Sequence, residues 1–593
     1  DATALTARPR LLHPWIVERL SELGVLIVDC QTTGATPALG AVLEIGWGVA
    51  RANVTEVEQL QAHWVSLPAG HRVGSQVRRL TGFDEADVAI ALAPQDAWER
   101  LRATTSFADR VPAAIHFAKF ELTFLCDWAN RFEPETHFPL DAVCIHAIAC
   151  RLYPDLPRRS LRALAGFLGH GMDHARRCLG HVEATAHIWQ KIVPELDARG
   201  VHTWQQLGDW LATPMPTAPR SRKRRYPLAS ARYRALPDQP GVYRLLRSNG
   251  DVLYVGKAAS MRKRVASHFT SVFSRTERAL EMLTQVHDIR VTPTRTALEA
   301  ALLENESIKE LHPPYNVQLV AGDARTWFVD AQLDAIANEP SVTHRYGPLP
   351  STFSVRALGA VEKILSGEGA TRFLRARAMG VHERWAPDED TFAAGFRTFA
   401  ERHTLAVVDA RSEARGADEM PNVRRALATT ARQLVLLAKA EAARMGGELE
   451  IDEAEDTAGG ELRPWDPARV VRHLERGVRH GYQLLQRSRW LCLLYDSAVV
   501  FREPSGERPR LLLVRGGKLV EACDILDEPV PRIAATRPLR ERQGTFDRNQ
   551  YDRLRTLTSE LKRVLRDGGT VAVRVGESRW LRGSKLDALL LWV

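Results

Sequence analysis

Apolar residues between Gly24 and Pro194 recur with two periods. Val25 to Val28 and Val42 to Val49 are short, β-branched runs that read as strands, whereas Leu161 to Leu168 and Val182 to Ile192 repeat at helical spacing. Strands and helices in alternation predict an α/β domain over residues 20–205. The pattern then breaks. Thr213-Pro214-Met215-Pro216-Thr217-Ala218-Pro219 is Pro-rich, and Arg220, Arg222, Lys223, Arg224, Arg225, Arg232 and Arg234 follow with no acidic residue between them, so residues 206–235 read as a basic linker. Such a segment is either a solvated tether or an arm that touches phosphates.

Residues 236–330 form a second unit. Gly241 to Leu246 and Val252 to Val255 are strand-like and flank Asn249-Gly250, a strong hairpin signal. A two-residue turn there pairs Leu245 with Tyr254 and Arg244 with Val255, which leaves Tyr243 diagonal to Tyr254 on one face. Ser260 is placed to cap a helix carrying Met261, Arg262, Lys263, Arg264, Val265 and His268. Thr296 with Glu299 spells a capping box for a further helix, whose apolar stripe is Leu298, Ala301, Leu302 and Ile308. Glu304 sits at the edge of that stripe, beside Ala297, Ala300, Ala301 and Ile308 on the helical wheel, and these leave room around a carboxylate. Pro313-Pro314-Tyr315-Asn316 ends the helix.

The remainder, residues 340–593, reads as an α+β region, with the Gly-rich acidic stretch Gly446 to Gly460 as an exposed loop that could separate two subdomains. Asp466-Pro467 opens a helix on which Arg469, Arg472, Arg476 and Arg479 recur at helical spacing, either a solvated face or a stripe that tracks phosphates. Ala498 to Phe501, Arg510 to Val514 and Lys518 to Ala522 read as strands, and Tyr551 to Arg566 as an amphipathic helix. No internal repeat is visible.

Composition narrows the class. At 593 residues the chain holds three or four domains, and 45% hydrophobic with 26% charged residues is ordinary for a globular protein. No apolar run approaches the roughly eighteen residues that span a bilayer, so no membrane role is expected. Lys plus Arg number 81 against 72 Asp plus Glu, a net +9 that favours a polyanionic partner, with nucleic acid the leading class. The seven cysteines are scattered without a C-x-x-C, which indicates neither a disulfide framework nor a zinc or iron–sulfur site, and a reducing cytoplasm fits. No secretory signal is visible after Asp1.

Gly241-Val242-Tyr243, Tyr254-Val255-Gly256-Lys257-Ala258, Arg262-Lys263-Arg264, Leu302-Leu303-Glu304-Asn305, Ile308-Lys309 and Pro314-Tyr315-Asn316-Val317 together resemble the GIY-YIG nucleases of the UvrC and Cho kind. The resemblance implies hydrolysis of a DNA phosphodiester with one divalent cation, Mg2+ or Mn2+. Glu304 would hold the metal, since one hard carboxylate completed by water and phosphate oxygens suits magnesium. Arg264 would clamp the phosphoryl oxygens, with Arg262 and Lys263 beside it on DNA. Tyr243 or Tyr254, aided by Lys257, would help deprotonate the attacking water, with Tyr243 preferred as base and Tyr254 as orienting group. Asn316 would be a positioning group.

Val25 to Gly34, with Asp29, Cys30 and Gln31 at its centre, resembles the first motif of DnaQ-type DEDDh exonucleases, but Gln31 stands where that family has glutamate. His116 to Glu121 resembles the second motif, with Glu121 at the aspartate position. In the last motif Arg176 replaces the histidine and His181 the aspartate, and sliding the alignment to His174 leaves Leu179 at the aspartate position. A two-metal site needs several carboxylates, and a guanidinium cannot act as a base. A ribonuclease-H-like domain with an eroded site, used to bind or position DNA, is therefore expected.

Tyr346 to Ser351 resembles the segment that follows the nuclease domain in UvrC and Cho, while the cysteine cluster of many UvrC proteins is absent around Met379 to Pro387, so no iron–sulfur cluster is expected. The expected whole is a cytoplasmic DNA-repair endonuclease that incises damaged or abnormal DNA in nucleotide excision repair, with DNA and excision-repair damage-recognition proteins as partners. Two alternatives stand beside it. One is a bifunctional 3′-5′ exonuclease and endonuclease using Glu121 and His181 as ligands; the other is a non-catalytic DNA-binding scaffold.

Overall fold

The computed structural model describes residues 14–71, 73–104, 110–172, 176–214, 226–270, 276–317, 326–405, 420–445, 464–504, 506, 508–525, 546–575 and 579–592. The basic run Arg222, Lys223, Arg224 and Arg225, the loop Gly446 to Gly460 and His174 lie outside them. The chain divides into two compact units, residues 1–297 with 313–317, and residues 298–312 with 318–593.

In the first unit, β1 (Val25–Thr32), β2 (Val42–Ala50), β3 (Glu58–Trp64), β4 (Val111–Ile115) and β5 (Leu140–Cys144) form one sheet in the order β3-β2-β1-β4-β5. β1, β2 and β3 run antiparallel, and β4 and β5 are parallel to β1, the ribonuclease-H-like arrangement. β1 is buried on both faces, which is why it reads as an unbroken apolar run rather than an alternating one. Val25 and Ile27 pack with Val182, Ile188 and Trp189 of the helix Cys178–Asp197, whereas Leu26 and Val28 pack with Trp98, Phe124 and Trp128. Asp29 and Gln31 lie at the far end of this central strand.

The same unit holds a three-stranded antiparallel sheet of β6 (Gly241–Leu246), β7 (Val252–Ala258) and β8 (Asp288–Pro293), ordered β7-β6-β8. Its hairpin loop differs from the expected two-residue turn. Gly250 N–H donates to Arg247 O at 3.1 Å, Arg247 N–H to Asp251 O at 2.9 Å, and Gly250 has φ +92°, so the loop has three residues with Gly250 in the left-handed region. Past it Leu246 faces Val252 and Leu245 faces Tyr254, which leaves Leu253 as an extra residue. The longer loop and the bulge compensate, and the tyrosine register comes out as the sequence predicts.

This small sheet docks on the larger domain through two helices, Leu161–Phe167 and Glu277–Gln285. Ser160 Oγ donates to Glu281 at 2.9 Å, and the Phe167 and His287 rings stack at 5.6 Å. Gln285, itself buried, lies against bare Gly166 and donates from Nε2 to Tyr315 Oη at 2.6 Å.

The second unit has two cores. The helices Phe353–Leu365, Arg372–Met379, Glu389–Arg402, Met420–Met445 and Pro467–Leu494 share one around Val361, Phe396, Leu427 and Leu474. A small antiparallel sheet of β9 (Trp327–Val329), β10 (Ile336–Ala337) and β11 (Tyr346–Leu349) lies beside it. The other core lies on an antiparallel sheet, β12 (Ser497–Arg502), β13 (Arg510–Arg515), β14 (Lys518–Asp524), β15 (Thr570–Val575) and β16 (Arg579–Leu581), in the order β14-β13-β12-β15-β16. The helix Arg548–Arg566 covers this sheet with Tyr551, Leu554, Leu557 and Leu561. Pro467–Leu494, capped by Asp466 accepting from Arg469 N–H at 2.8 Å, supplies Val470 to Leu484 to the first core and Trp490 to Leu494 to the second. No helix among the described residues is long and apolar enough to cross a membrane.

Candidate active site

Glycine makes the tyrosine cluster possible. A Cβ on Gly256 would lie 2.5 Å from Tyr243 Oη and 2.8 Å from Tyr254 Cε1, so both phenols close over bare backbone that no other residue could supply. Gly241 serves the same end, because a Cβ there would meet Met261 Sδ and Thr292 O at 2.6 Å. The two tyrosine rings lie 6.1 Å apart, Tyr243 fully buried and Tyr254 half-buried.

His268 completes the cluster, and residue-by-residue reading missed it. Its Nε2 is 2.7 Å from Tyr243 Oη, and its ring lies 6.0 Å from Tyr254. Burial, then the positive charge of Arg264, pushes its pKa down to about 4, so at neutral pH the imidazole is uncharged and can accept a hydrogen bond from the phenol. Its position four residues after Arg264, one turn along the helix Met261–Thr270, was the available signal.

Arg264 and Lys263 are exposed, and among the described residues no carboxylate pairs with the Arg264 guanidinium. Arg262 instead bonds Asp238 at 2.8 Å, and Ser260 Oγ accepts from Lys263 N–H at 3.3 Å while donating to Asp238, so this first turn is held in place. Lys257 is exposed on β7 opposite Val242. Asn316 grips the strand itself, since its Oδ1 accepts from Val255 N–H at 3.0 Å and its Nδ2 donates to Val255 O at 2.9 Å. Both ends of the amide fix the β7 backbone directly after Tyr254.

Glu304 is half-buried on the helix Ala297–Leu311, in the second unit. That helix is tied to the C-terminal sheet and its covering helix by Glu299 with Arg510 at 3.0 Å, Glu306 with Arg553 at 3.1 Å, Lys309 with Asp552 at 3.2 Å and Asn305 with Thr556 at 3.0 Å. Glu299, near the start of the helix, thus reaches across to β13. Leu298, Ala301, Leu302 and Ile308 are buried, as their spacing predicts.

At the end of β1, Asp29 Oδ2 lies 2.9 Å from His181 Nδ1. Glu121 is buried beside Cys30, and burial first, then the charge of Asp29, pushes its carboxyl well above the usual carboxylate range. Gln31 Nε2 donates to Arg176 O at 2.5 Å. Arg177, next in the chain, bonds Glu44 at 2.5 Å and lies 4.1 Å from the Trp64 ring, pinning the start of the helix that carries His181. Among the described residues no group of three His, Cys, Asp or Glu side chains is arranged to hold a metal ion.

Of the C-terminal arginines, Arg472 and Arg476 are exposed, Arg469 is half-buried 4.4 Å from the Trp465 ring, and Arg479 is half-buried. Glu475, in the same stretch, takes Arg402 at 2.9 Å and His403 at 3.0 Å.

A family profile described as the UvrC-like GIY-YIG domain matches residues 239–317, the stretch that contains Tyr243, Tyr254, Arg264, Glu304 and Asn316. These residues form a UvrC-like GIY-YIG domain. UvrABC system protein C of Alkalilimnicola ehrlichii is 44% identical over 143 residues, 22% of this chain and 23% of that protein. A putative bifunctional exonuclease/endonuclease protein of Mycobacterium tuberculosis is 29% identical over 306 residues, 50% of this chain and 45% of that protein. The chain thus spans about a quarter of the one relative and under half of the other. Among solved structures, the GIY-YIG N-terminal endonuclease domain of UvrC from Thermotoga maritima bound to magnesium is 28% identical, covering 15% of this chain and 93% of that one with TM-score 0.14. Exonuclease X in complex with 5′ overhanging duplex DNA is 20% identical, covering 32% of this chain and 99% of that one with TM-score 0.24.

Proposed function

We propose that the chain is a metal-dependent DNA endonuclease that works through its GIY-YIG domain. The observation that carries this reading is the Tyr243–His268 pair packed with Tyr254 over Gly256, one helical turn from the exposed guanidinium of Arg264. A scaffold protein needs neither a buried phenol handed to a neutral imidazole nor an uncommitted arginine beside it.

In this mechanism Glu304 holds one Mg2+ or Mn2+ ion, and a single hard carboxylate completed by water and phosphate oxygens fits such a cation. When bound, the ion polarises the scissile phosphate and offsets its charge. As a phenolate, with Oη positioned by its hydrogen bond to His268 Nε2, Tyr243 takes a proton from the attacking water, while Tyr254 orients that water. Lys257 favours the phenolate. Arg264 meets the charge that builds on the phosphoryl oxygens, and Arg262 and Lys263 run on along the strand. Asn316 positions β7 rather than touching substrate. Arg222, Lys223, Arg224, Arg225, Arg469, Arg472, Arg476 and Arg479 add phosphate contacts.

The substrate is damaged or abnormal DNA, incised in the cytoplasm in the manner of nucleotide excision repair, with damage-recognition proteins delivering it. The N-terminal domain binds or positions DNA without digesting it, because Asp29 is engaged by His181 and burial favours the neutral form of Glu121. One observation favours a second reading, 3′-end hydrolysis by that domain: Glu121 Oε2 and Gln31 Oε1 are buried with no hydrogen-bond partner among the described residues.

Strand cleavage of nicked, flapped and lesion-bearing duplexes in Mg2+ tests the main reading. Glu304→Gln and Arg264→Ala should each lower the rate on the order of 10²- to 10⁴-fold while leaving DNA binding largely intact. Normal cleavage by either variant overturns it.

A further inference from the structure

A cavity of about 690 Å3 opens in the second unit between β11 and the helices Phe353–Leu365, Met420–Met445 and Pro467–Leu494. It has two chemically distinct sides. Leu333, Leu358, Ala428 and Leu485 with the rings of Tyr346 and Tyr482 make an apolar, aromatic wall. Four arginines face it against one carboxylate, Glu362.

That carboxylate is already committed. Arg424 grips Glu362 at both oxygens, 2.7 and 2.6 Å, and donates to Ala331 O at 2.9 Å, while Tyr482 Oη donates to Arg424 O at 2.6 Å. The wall is therefore rigid before any ligand arrives. Arg345, Arg425 and Arg489 are exposed at the opening, and among the described residues none has a carboxylate in salt-bridge reach. Arg345 lies 5.3 Å from the Tyr346 ring, so cation and aromatic face are presented together.

An inorganic anion would leave the apolar wall bare, and an uncharged apolar molecule would leave the guanidinium groups without a partner. A ligand that is planar and apolar at one end and anionic at the other satisfies both, and the volume lies within the ~300–1,000 Å3 typical of small-molecule sites. We propose that this cavity binds one nucleotide, its base against Tyr346 and the leucines and its phosphate on Arg425 and Arg489, and that the nucleotide is supplied by a DNA strand. The identity of the site rests on the cavity alone; the strand as its source rests on the proposed nuclease function.

The test uses the full chain. Binding of free dAMP is measured by calorimetry, and an oligonucleotide with a single 2-aminopurine is followed by its fluorescence. Arg425→Glu combined with Arg489→Glu changes only exposed side chains, and Ala428→Trp fills the cavity. The expected result is an environment-sensitive change in 2-aminopurine emission, competed by dAMP but not by inorganic phosphate at the same concentration. Either variant should weaken dAMP binding about tenfold or more. Binding of dAMP with no 2-aminopurine response keeps the nucleotide site and overturns the strand as its source. Absence of dAMP binding, or binding unchanged in both variants, overturns the site, and because that arm involves no DNA and no cleavage it is separate from any failure of the nuclease reading.

Discussion

Tyr243 Oη and His268 Nε2 lie 2.7 Å apart inside the core of the small sheet, and the imidazole is neutral because burial and Arg264 both oppose its proton. The folded pKa of about 4 lies below the ordinary 6.5, so the unfolded chain binds the proton more tightly than the folded one. The stabilisation is therefore complete above pH 6.5 and is lost as pH falls toward 4, a loss of about 3 kcal/mol from this group. Equilibrium unfolding from pH 7 to pH 4 should show that decline, and His268→Gln, which cannot titrate, should flatten it. Tyr243→Phe should leave the pH profile of stability in place and slow cleavage by roughly 10²- to 10⁴-fold. A Tyr243→Phe protein that cleaves at full rate would remove the phenol from the mechanism.

The basic linker is tested by salt. Changing Arg222, Lys223, Arg224 and Arg225 together to Ser should weaken DNA binding and flatten its salt dependence, since each lost phosphate contact removes roughly 0.7 to 0.9 from the slope of log K against log salt. The total change would be about 3 if all four touch phosphate. An unchanged slope would make the segment a tether.

How much of this was legible in the sequence depends on whether a residue's partner is near in the chain. The facing of Tyr243 and Tyr254 could be read from alternation around Asn249-Gly250, and it survived a misjudged turn because the bulge at Leu253 restored the register. The caps at Ser260 and Asp466 are local and were equally readable. His268 was overlooked because a histidine among arginines on a helix looks solvated until Tyr243 is known to lie beneath it. Glu299 reaches Arg510, which lies 211 positions on, and no local pattern reports such a partner. The cavity lined by Arg345, Arg425 and Arg489 is likewise assembled from three distant segments. The eroded exonuclease motif could be read as missing ligands, though not that His181 would turn back onto Asp29.

Gly166 tests the docking of the two sheets of the first unit. A Cβ there would fall 1.9 Å from Gln285 Oε1, and Gln285 is buried and committed to Tyr315 and Arg247. The side chain cannot yield without breaking those bonds, so Gly166→Val should cost on the order of 1–3 kcal/mol. Ser160→Ala, which removes the bond to Glu281 together with the helix cap that Ser160 Oγ makes by accepting from Ala163 N–H, should cost about 1–2 kcal/mol. Denaturant unfolding followed by tryptophan emission measures both, and a Gly166→Val protein as stable as the parent would show that this contact does not hold the domains together.

The N-terminal domain, expressed from about Ala2 to Gln205, should bind DNA weakly at best and leave 3′ ends intact in Mg2+ or Mn2+. The reason is electrostatic. Two dications need several ionised carboxylates, yet Asp29 is bonded to His181, Glu121 is held toward its neutral form, Gln31 contributes an amide and Arg176 a positive charge. Gln31→Glu, Arg176→His and His181→Asp together return two carboxylates and a base, and they free Asp29 from its imidazole partner. If the backbone at the end of β1 keeps the geometry the chemistry requires, this triple variant, with or without Glu121→Asp, should gain metal-dependent 3′ digestion. Glu121 Oε2 and Gln31 Oε1, which have no hydrogen-bond partner among the described residues, make the opposite result informative as well. Processive digestion by the unmodified domain, abolished by Asp29→Asn, would mean that those two oxygens already serve a bound cation, and the chain would then be a bifunctional exonuclease and endonuclease.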